Sequence, residues 1–250
     1  MDFEQEKIFG KVQTLEQNRE LTNEYYNANG KKYGEDKIVY LNGNFYLGKI
    51  KDGKRDGKGI LFDINGDMIY EGEYKNDMRN GKGIYYEKNK VKYEGNFINN
   101  KAEGKGKLFF ENGDYYIGEF KNDIINGKGK FHGISDKVFL EGNFVNGKLE
   151  GHGQKIFKDN GYYVGEFKEV RYNGEGQIFY KNNELKYEGN FVKGRYEGSG
   201  KLFYDNGNFY IGQFHNGKEM GKGILLDKNQ KVLTFYAKIA INKVKNMLEL

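Results

Sequence analysis

Gly-Lys-Gly recurs along the chain, for example at Gly81-Lys82-Gly83 and Gly127-Lys128-Gly129. Glycine amides beside a lysine can cradle a phosphate. That chemistry needs a helix opening and a G-x-x-x-x-G-K-[ST] run, and no such run occurs. The three histidines, His132, His152 and His215, lack the paired spacing of a metal site. The only serines, Ser135 and Ser199, lie in no nucleophile motif. There is no cysteine, which excludes disulfides and thiol catalysis. Carboxylates are plentiful but recur at fixed repeat positions, as on a solvated strand face. The expectation is therefore a protein without catalytic, cofactor-binding or metal-binding residues.

What recurs is a larger unit, typified by YEGEYKNDMRNGKGIYY at 70–86. Its opener appears eight times, at Tyr46, Tyr70, Tyr93, Tyr116, Leu140, Tyr163, Tyr187 and Tyr210, at steps of 23 or 24 residues. A glycine stands two residues after each opener and a large apolar residue two further: Ile50, Tyr74, Phe97, Phe120, Phe144, Phe167, Phe191 and Phe214. A Gly-x-Gly begins eleven residues after each opener. Such a period marks a repeat architecture, and steps of two are the strand period. The fixed distance from opener to Gly-x-Gly makes each unit a β-hairpin, with strands like Tyr70–Tyr74 and Gly81–Tyr86 and a loop like Lys75–Asn80.

A symmetric closure would place Tyr74 opposite Gly81, Gly72 opposite Gly83 and Tyr70 opposite Tyr85, so that large rings lie over bare backbone. On the opposite face the same register pairs Glu73 with Lys82, Glu119 with Lys128, Glu94 with Lys107 and Glu188 with Lys201, but Glu166 with Glu175. One outward column is mostly apolar: Phe62, Tyr86, Phe109, Ile156, Phe179, Phe203 and Leu226, interrupted by His132.

The pattern Y-x-G-x-[FY]-x6-G-x-G at this period resembles the MORN (membrane occupation and recognition nexus) repeat. The likeness spans about Tyr46 to Leu233, departing in the absence of tryptophan and in Leu140 at an opener. It implies an all-β repeat protein, a single-layer elongated twisted antiparallel sheet of stacked hairpins. It also implies a scaffold in a multi-subunit cytoskeletal assembly, such as a ciliary or flagellar axoneme with its radial spokes, and a capacity to form homodimers.

Composition agrees with an array lacking one deep core: 37% hydrophobic, 16% aromatic, no Trp, no Pro, and a mean hydropathy of −0.88. Net charge is +5, too mild to argue for nucleic acid. No apolar run reaches the ~20 residues that span a bilayer, and MDFEQEKIFG does not read as a signal peptide, so a cytoplasmic protein is expected.

The expected organisation is an amphipathic helical cap over 1–24, a linker and degenerate leading repeat over 25–45, eight repeats over 46–233, and a basic amphipathic helix over 234–250. The helical spacing of Ala237, Ala240, Ile241, Val244, Met247 and Leu248 supports the last. The candidate partner-binding strip is Tyr46, Tyr70, Tyr74, Tyr93, Phe97, Tyr116, Phe120, Phe144, Tyr163, Phe167, Tyr187, Phe191, Tyr210 and Phe214, since contiguous exposed rings mark binding surfaces. The alternative is attachment to anionic membrane through Lys51, Lys54, Arg55, Lys193, Arg195, Lys238, Lys243 and Lys245.

Overall fold

A computed structural model describes residues 37–134 and 137–238. Among them every regular element is a β-strand. The described chain divides into two compact units, 37–110 with 119–124, and 111–118 with the residues from 125 onward.

The first unit holds β1 (Lys37–Val39), β2 (Phe45–Lys51), β3 (Lys54–Phe62), β4 (Met68–Lys75), β5 (Met78–Glu87), β6 (Lys90–Ile98) and β7 (Lys101–Phe109). Strand β8 (Tyr115–Lys121) carries residues of both units. Then come β9 (Ile124–His132), β10 (Phe139–Val145), β11 (Lys148–Ile156), β12 (Tyr162–Lys168), β13 (Arg171–Phe179), β14 (Leu185–Val192), β15 (Arg195–Phe203), β16 (Phe209–His215), β17 (Lys218–Leu226) and β18 (Val232–Lys238). From β1 to β7, and from β9 to β18, each strand pairs antiparallel with its chain neighbours. Each unit is thus a run of hairpins, as the period of two predicts.

The hairpins close more tightly than the Asn- and Lys-rich loops suggest. In the β4–β5 hairpin Lys75 pairs with Met78, leaving only Asn76 and Asp77 in the turn, at φ +49° and +69°. Positive φ at both central residues is the type I′ turn, whose twist matches that of the flanking strands. The same geometry recurs at Asn146-Gly147 and Asn216-Gly217, and at Glu169-Val170 with φ +50° and +65°.

This tight turn changes the register. Tyr70 faces Tyr85 and Gly72 faces Gly83, as expected, but the ladder then shifts and Tyr74 faces Arg79, not Gly81. Gly81, at φ +108°, sits in the bulge that absorbs the shift. The aromatic lies opposite a glycine of the preceding hairpin instead: Gly57 faces Tyr74, Gly81 faces Phe97, Gly127 faces Phe144 and Gly174 faces Phe191. The bulge also redistributes charge. Glu94–Lys107 and Glu188–Lys201 form as expected. Glu73 instead faces Lys58, and the anticipated Glu166–Glu175 clash is avoided because Glu166 faces His152 and Glu175 faces Asn190.

The helix expected from Thr234 does not begin there. Thr234–Lys238 continues β18 and pairs with β17, Phe235 opposite Ile224. β-branched and aromatic residues in the run Val232-Leu233-Thr234-Phe235-Tyr236 suit a strand, and the free edge of β17 supplies the ladder partners. The remaining helical expectation over 239–250, the amino-terminal helix over 1–24 and the linker up to residue 36 lie outside the described residues.

Candidate interaction surface

The fourteen rings of the expected strip are buried, with relative exposures between 0% and 5%. They are the core of each unit and not a displayed surface. In the first unit they zigzag as Tyr46, Tyr74, Tyr70, Phe97, Tyr93 and Phe120, edge to face, with centroids 5.0–5.2 Å apart. In the second, Tyr163, Phe191, Tyr187, Phe214 and Tyr210 repeat the arrangement at 5.1–5.4 Å. Edge-to-face packing at this distance sets a positive ring edge on a negative face.

The opener tyrosine explains the glycines. Its ring lies along its own hairpin, and its hydroxyl donates to the carbonyl three residues on: Tyr70 to Glu73 at 3.2 Å, Tyr93 to Asn96 at 3.1 Å, Tyr163 to Glu166 at 2.8 Å and Tyr187 to Asn190 at 3.1 Å. A Cβ on Gly83 or Gly200 would overlap the Tyr70 or Tyr187 ring. Burial pushes the phenols of Tyr70, Tyr93, Tyr163 and Tyr187 well above their ordinary range. Where the opener is Leu140, the fully buried Leu149 fills the space from the facing strand, and Phe167 lies over Gly153.

Next to the rings of the ladder face lies the ninth residue after each opener. It pairs with the aromatic across the bulged hairpin: Tyr74 with Arg79, Phe97 with Ala102, Phe144 with Leu149, Phe167 with Tyr172, Phe191 with Tyr196 and Phe214 with Glu219. This slot varies in chemical type from copy to copy, so a search for recurring residues passes over it; the variation is itself the signal.

In the β2–β3 and β4–β5 hairpins of the first unit the slot holds arginines turned onto the rings. The Arg55 guanidinium stands 4.6 Å from the Tyr74 centroid, and that of Arg79 stands 5.4 Å from Phe97 and 5.7 Å from Tyr70. Each is tied to the next turn, Arg55 Nη2 to the Asp77 carbonyl at 2.7 Å and Arg79 Nη2 to the Asn100 carbonyl at 3.0 Å. In the β12–β13 and β14–β15 hairpins of the second unit the slot holds tyrosines lying flat on openers. Tyr172 stacks on Tyr163 at 4.0 Å and 21°, and Tyr196 on Tyr187 at 3.7 Å and 9°. Both are half-exposed, as are Phe157, Tyr180 and Tyr204 on the same face. Tyr204 donates a short hydrogen bond to Glu219.

The candidate lipid contacts separate. Lys51, Lys54, Lys193 and Arg195 are exposed at turn tips. Arg55 is not available as a loop cation: its side chain is 12% exposed and pairs with Asp77 at 3.4 Å. Lys238 ends β18, and Lys243 and Lys245 lie outside the described residues. Among the described residues no group of His, Cys, Asp and Glu could hold a metal ion, and no helix is long and apolar enough to cross a membrane.

A hairpin repeated at this period, with a tyrosine over paired glycines, defines a class of repeat protein, and comparison with known families agrees. The MORN repeat matches residues 46–68, 70–89, 93–115, 116–135, 141–162, 187–209 and 210–232. The chain belongs to the MORN repeat family. The β12–β13 hairpin, outside those ranges, keeps the same register, with Gly165 facing Gly176 and Tyr163 fully buried. Among solved structures the chain is similar to the TCP domain of Drosophila melanogaster SAS-4 (dCPAP), determined with a proline-rich motif of Ana2 (dSTIL). That likeness has 13% identity over 73% of this chain and 85% of that one, with a TM-score of 0.36. A point mutant of the TCP10 domain of Danio rerio CPAP matches at 15% identity over 81% of this chain and 99% of that one, with a TM-score of 0.39. Comparison with curated proteins returned no match. MORN repeats point to a scaffold that binds proteins or membranes.

Proposed function

We propose that this chain is a non-catalytic protein-interaction scaffold whose contact surface is the ladder face of the second unit, in Tyr172, Tyr180, Tyr196 and Tyr204. One observation carries the reading: flat, half-exposed tyrosines sit directly on a rigid buried ladder. A ring already fixed by stacking loses little freedom on binding and offers both apolar area and a polar tip. The partners are other subunits of a larger assembly, with a second copy of the chain as the simplest of them. On the resemblance to MORN arrays we place the assembly in the cytoplasm, in a ciliary or flagellar axoneme, its radial spokes included, or in the cortical cytoskeleton. Proximity labelling from the chain in its native cell tests this. The expected result is a reproducible set of axonemal or cortical neighbours; labelling no different from a free labelling enzyme contradicts the scaffold reading.

The second reading, attachment to anionic membrane, is favoured by cations beside exposed aliphatic side chains at the turn tips, such as Lys193 and Arg195 beside Val192. It predicts flotation with anionic liposomes that collapses as salt is raised. The scaffold reading predicts that the protein stays at the bottom of the gradient at every ionic strength.

A further inference from the structure

The chain shows within itself what settles on its aromatic ladder. In the first unit the ninth-residue slot is filled by a guanidinium lying over buried rings, Arg55 over Tyr74 and Arg79 over Phe97, Tyr70 and Tyr85. In two hairpins of the second unit the slot carries a ring in place of the cation. Tyr172 and Tyr196 present one face inward to an opener and remain half-exposed. The Lys155 ammonium stands 6.0 Å from the Tyr172 centroid and that of Lys186 stands 5.1 Å from Tyr180. Among the described residues no cation lies over Tyr196.

Carboxylates surround this face. Asp205 bonds Tyr180, with Glu184 close to the same ring. Glu219 fills the next slot, bonded to Tyr204. A negative ring face bordered by acids attracts a cation, and a planar guanidinium can stack as well.

Resting on the scaffold reading, the geometry points to a basic segment of the partner as the occupant, with an arginine side chain laid on the exposed face of Tyr196 beside Tyr180. The Tyr172 and Tyr196 slots are one hairpin apart, two strands or roughly 9.5 Å. A peptide in the polyproline II conformation, with three residues per turn and a rise of ~3.1 Å, brings a side chain back to the same face after about that distance. Two arginines three positions apart would therefore reach both tyrosines.

The test uses the full chain and a capped Gly-Arg-Gly-Gly-Arg-Gly peptide, with a matched peptide in which citrulline replaces both arginines. Citrulline keeps the planar shape and removes the charge. Binding is read from the ring resonances of Tyr196 and Tyr180. The arginine peptide is expected to bind about five- to tenfold more tightly than the citrulline peptide, the range of a partly exposed cation–π contact. Tyr196→Phe keeps the ring and should bind within about twofold of wild type, whereas Tyr196→Leu should lose about five- to tenfold. Equal binding of the two peptides, or unchanged binding by Tyr196→Leu, overturns the proposal. If Tyr196→Leu does not fold, the peptide comparison on the wild-type chain and Tyr180→Leu, expected to weaken binding, still decide it. The two readings fail differently. Neighbours that label wild type and Tyr196→Leu alike would retire the cation site and leave the scaffold standing. A wild-type chain without reproducible neighbours would retire the scaffold itself.

Discussion

Two hairpins of each unit use one backbone slot in opposite ways. In the first, Arg55 and Arg79 fold onto the ladder and bind the next turn, so the slot is satisfied from within. In the second, Tyr172 and Tyr196 add another ring to the stack and leave it half-exposed. The turns differ in the same sense. In the first unit the second turn residue clamps the preceding hairpin twice: Asp77 accepts from Arg55 N at 2.8 Å through its carboxylate and donates its own N–H to the Arg55 carbonyl at 3.0 Å. In the second, Gly194 and Gly217 keep only the backbone bond, to the carbonyls of Tyr172 and Tyr196. A repeat array can therefore hold its core constant while one non-recurring position decides whether a stretch closes on itself or leaves a half-buried ring at its surface.

The largest effect that probes this contrast is alkaline. Buried phenols hold their protons to higher pH than free tyrosine, about 10. Below pH 10 the tyrosines are protonated in both folded and unfolded chains and add no pH dependence to stability. Above it the unfolded chain loses protons that the folded chain keeps, and each retained proton removes about 1.4 kcal/mol per pH unit. Burial raises each of these phenols most; Arg79 works against the rise at Tyr70, whereas Tyr196 adds to it at Tyr172 and Tyr187, and Tyr172 at Tyr163. Stability should fall steeply above pH 10, with phenolate absorbance near 295 nm appearing together with unfolding in both units. A smooth titration at pH 10 with the fold intact would remove the buried ladder.

Next in size are the glycines under the openers. Gly83→Ala and Gly200→Ala each force a methyl into the Tyr70 or Tyr187 ring and should cost about 3 kcal/mol in urea unfolding. If the ladder is the shared part of both units, the two values should agree. Pairing Gly200→Ala with Tyr187→Leu should recover part of the loss, as the Leu140 hairpin does without its tyrosine.

Arg79→Ala removes the cation from three rings and its bond to Asn100, and should cost about 1–2 kcal/mol. Arg79→Tyr, which copies the second unit, should cost less than half of that. Equal losses would mean that the two slots are not equivalent. Smallest is Val170→Gly. Val170 sits at φ +65°, where the other turns of the second unit carry Gly147, Gly194 and Gly217. Relieving a branched side chain there should stabilise by about 1 kcal/mol, read as a higher urea midpoint.

Much of this was legible in the residues. Opener, glycine and ring at steps of two specify strands, and the constant distance to Gly-x-Gly specifies a hairpin. The bulge was not legible, because Gly81 reads like any strand glycine and its shift depends on a two-residue turn hidden in a Lys- and Asn-rich run. Nor does periodicity tell an inward column from a displayed one: Tyr70 and Tyr74 recur as a binding strip would, yet both are buried. At the carboxyl end, the helical spacing beyond Ala237 drew in Thr234 and Phe235, which the open edge of β17 holds as strand.

The most direct test is a set of ring-to-glycine proton contacts measured by NMR at Phe191. The bulged register predicts contacts from the Phe191 ring to the α-protons of Gly174, which faces it across β13 and β14. Contacts to Gly198 of its own hairpin, without those to Gly174, would contradict the ladder and with it the exposed position of Tyr196.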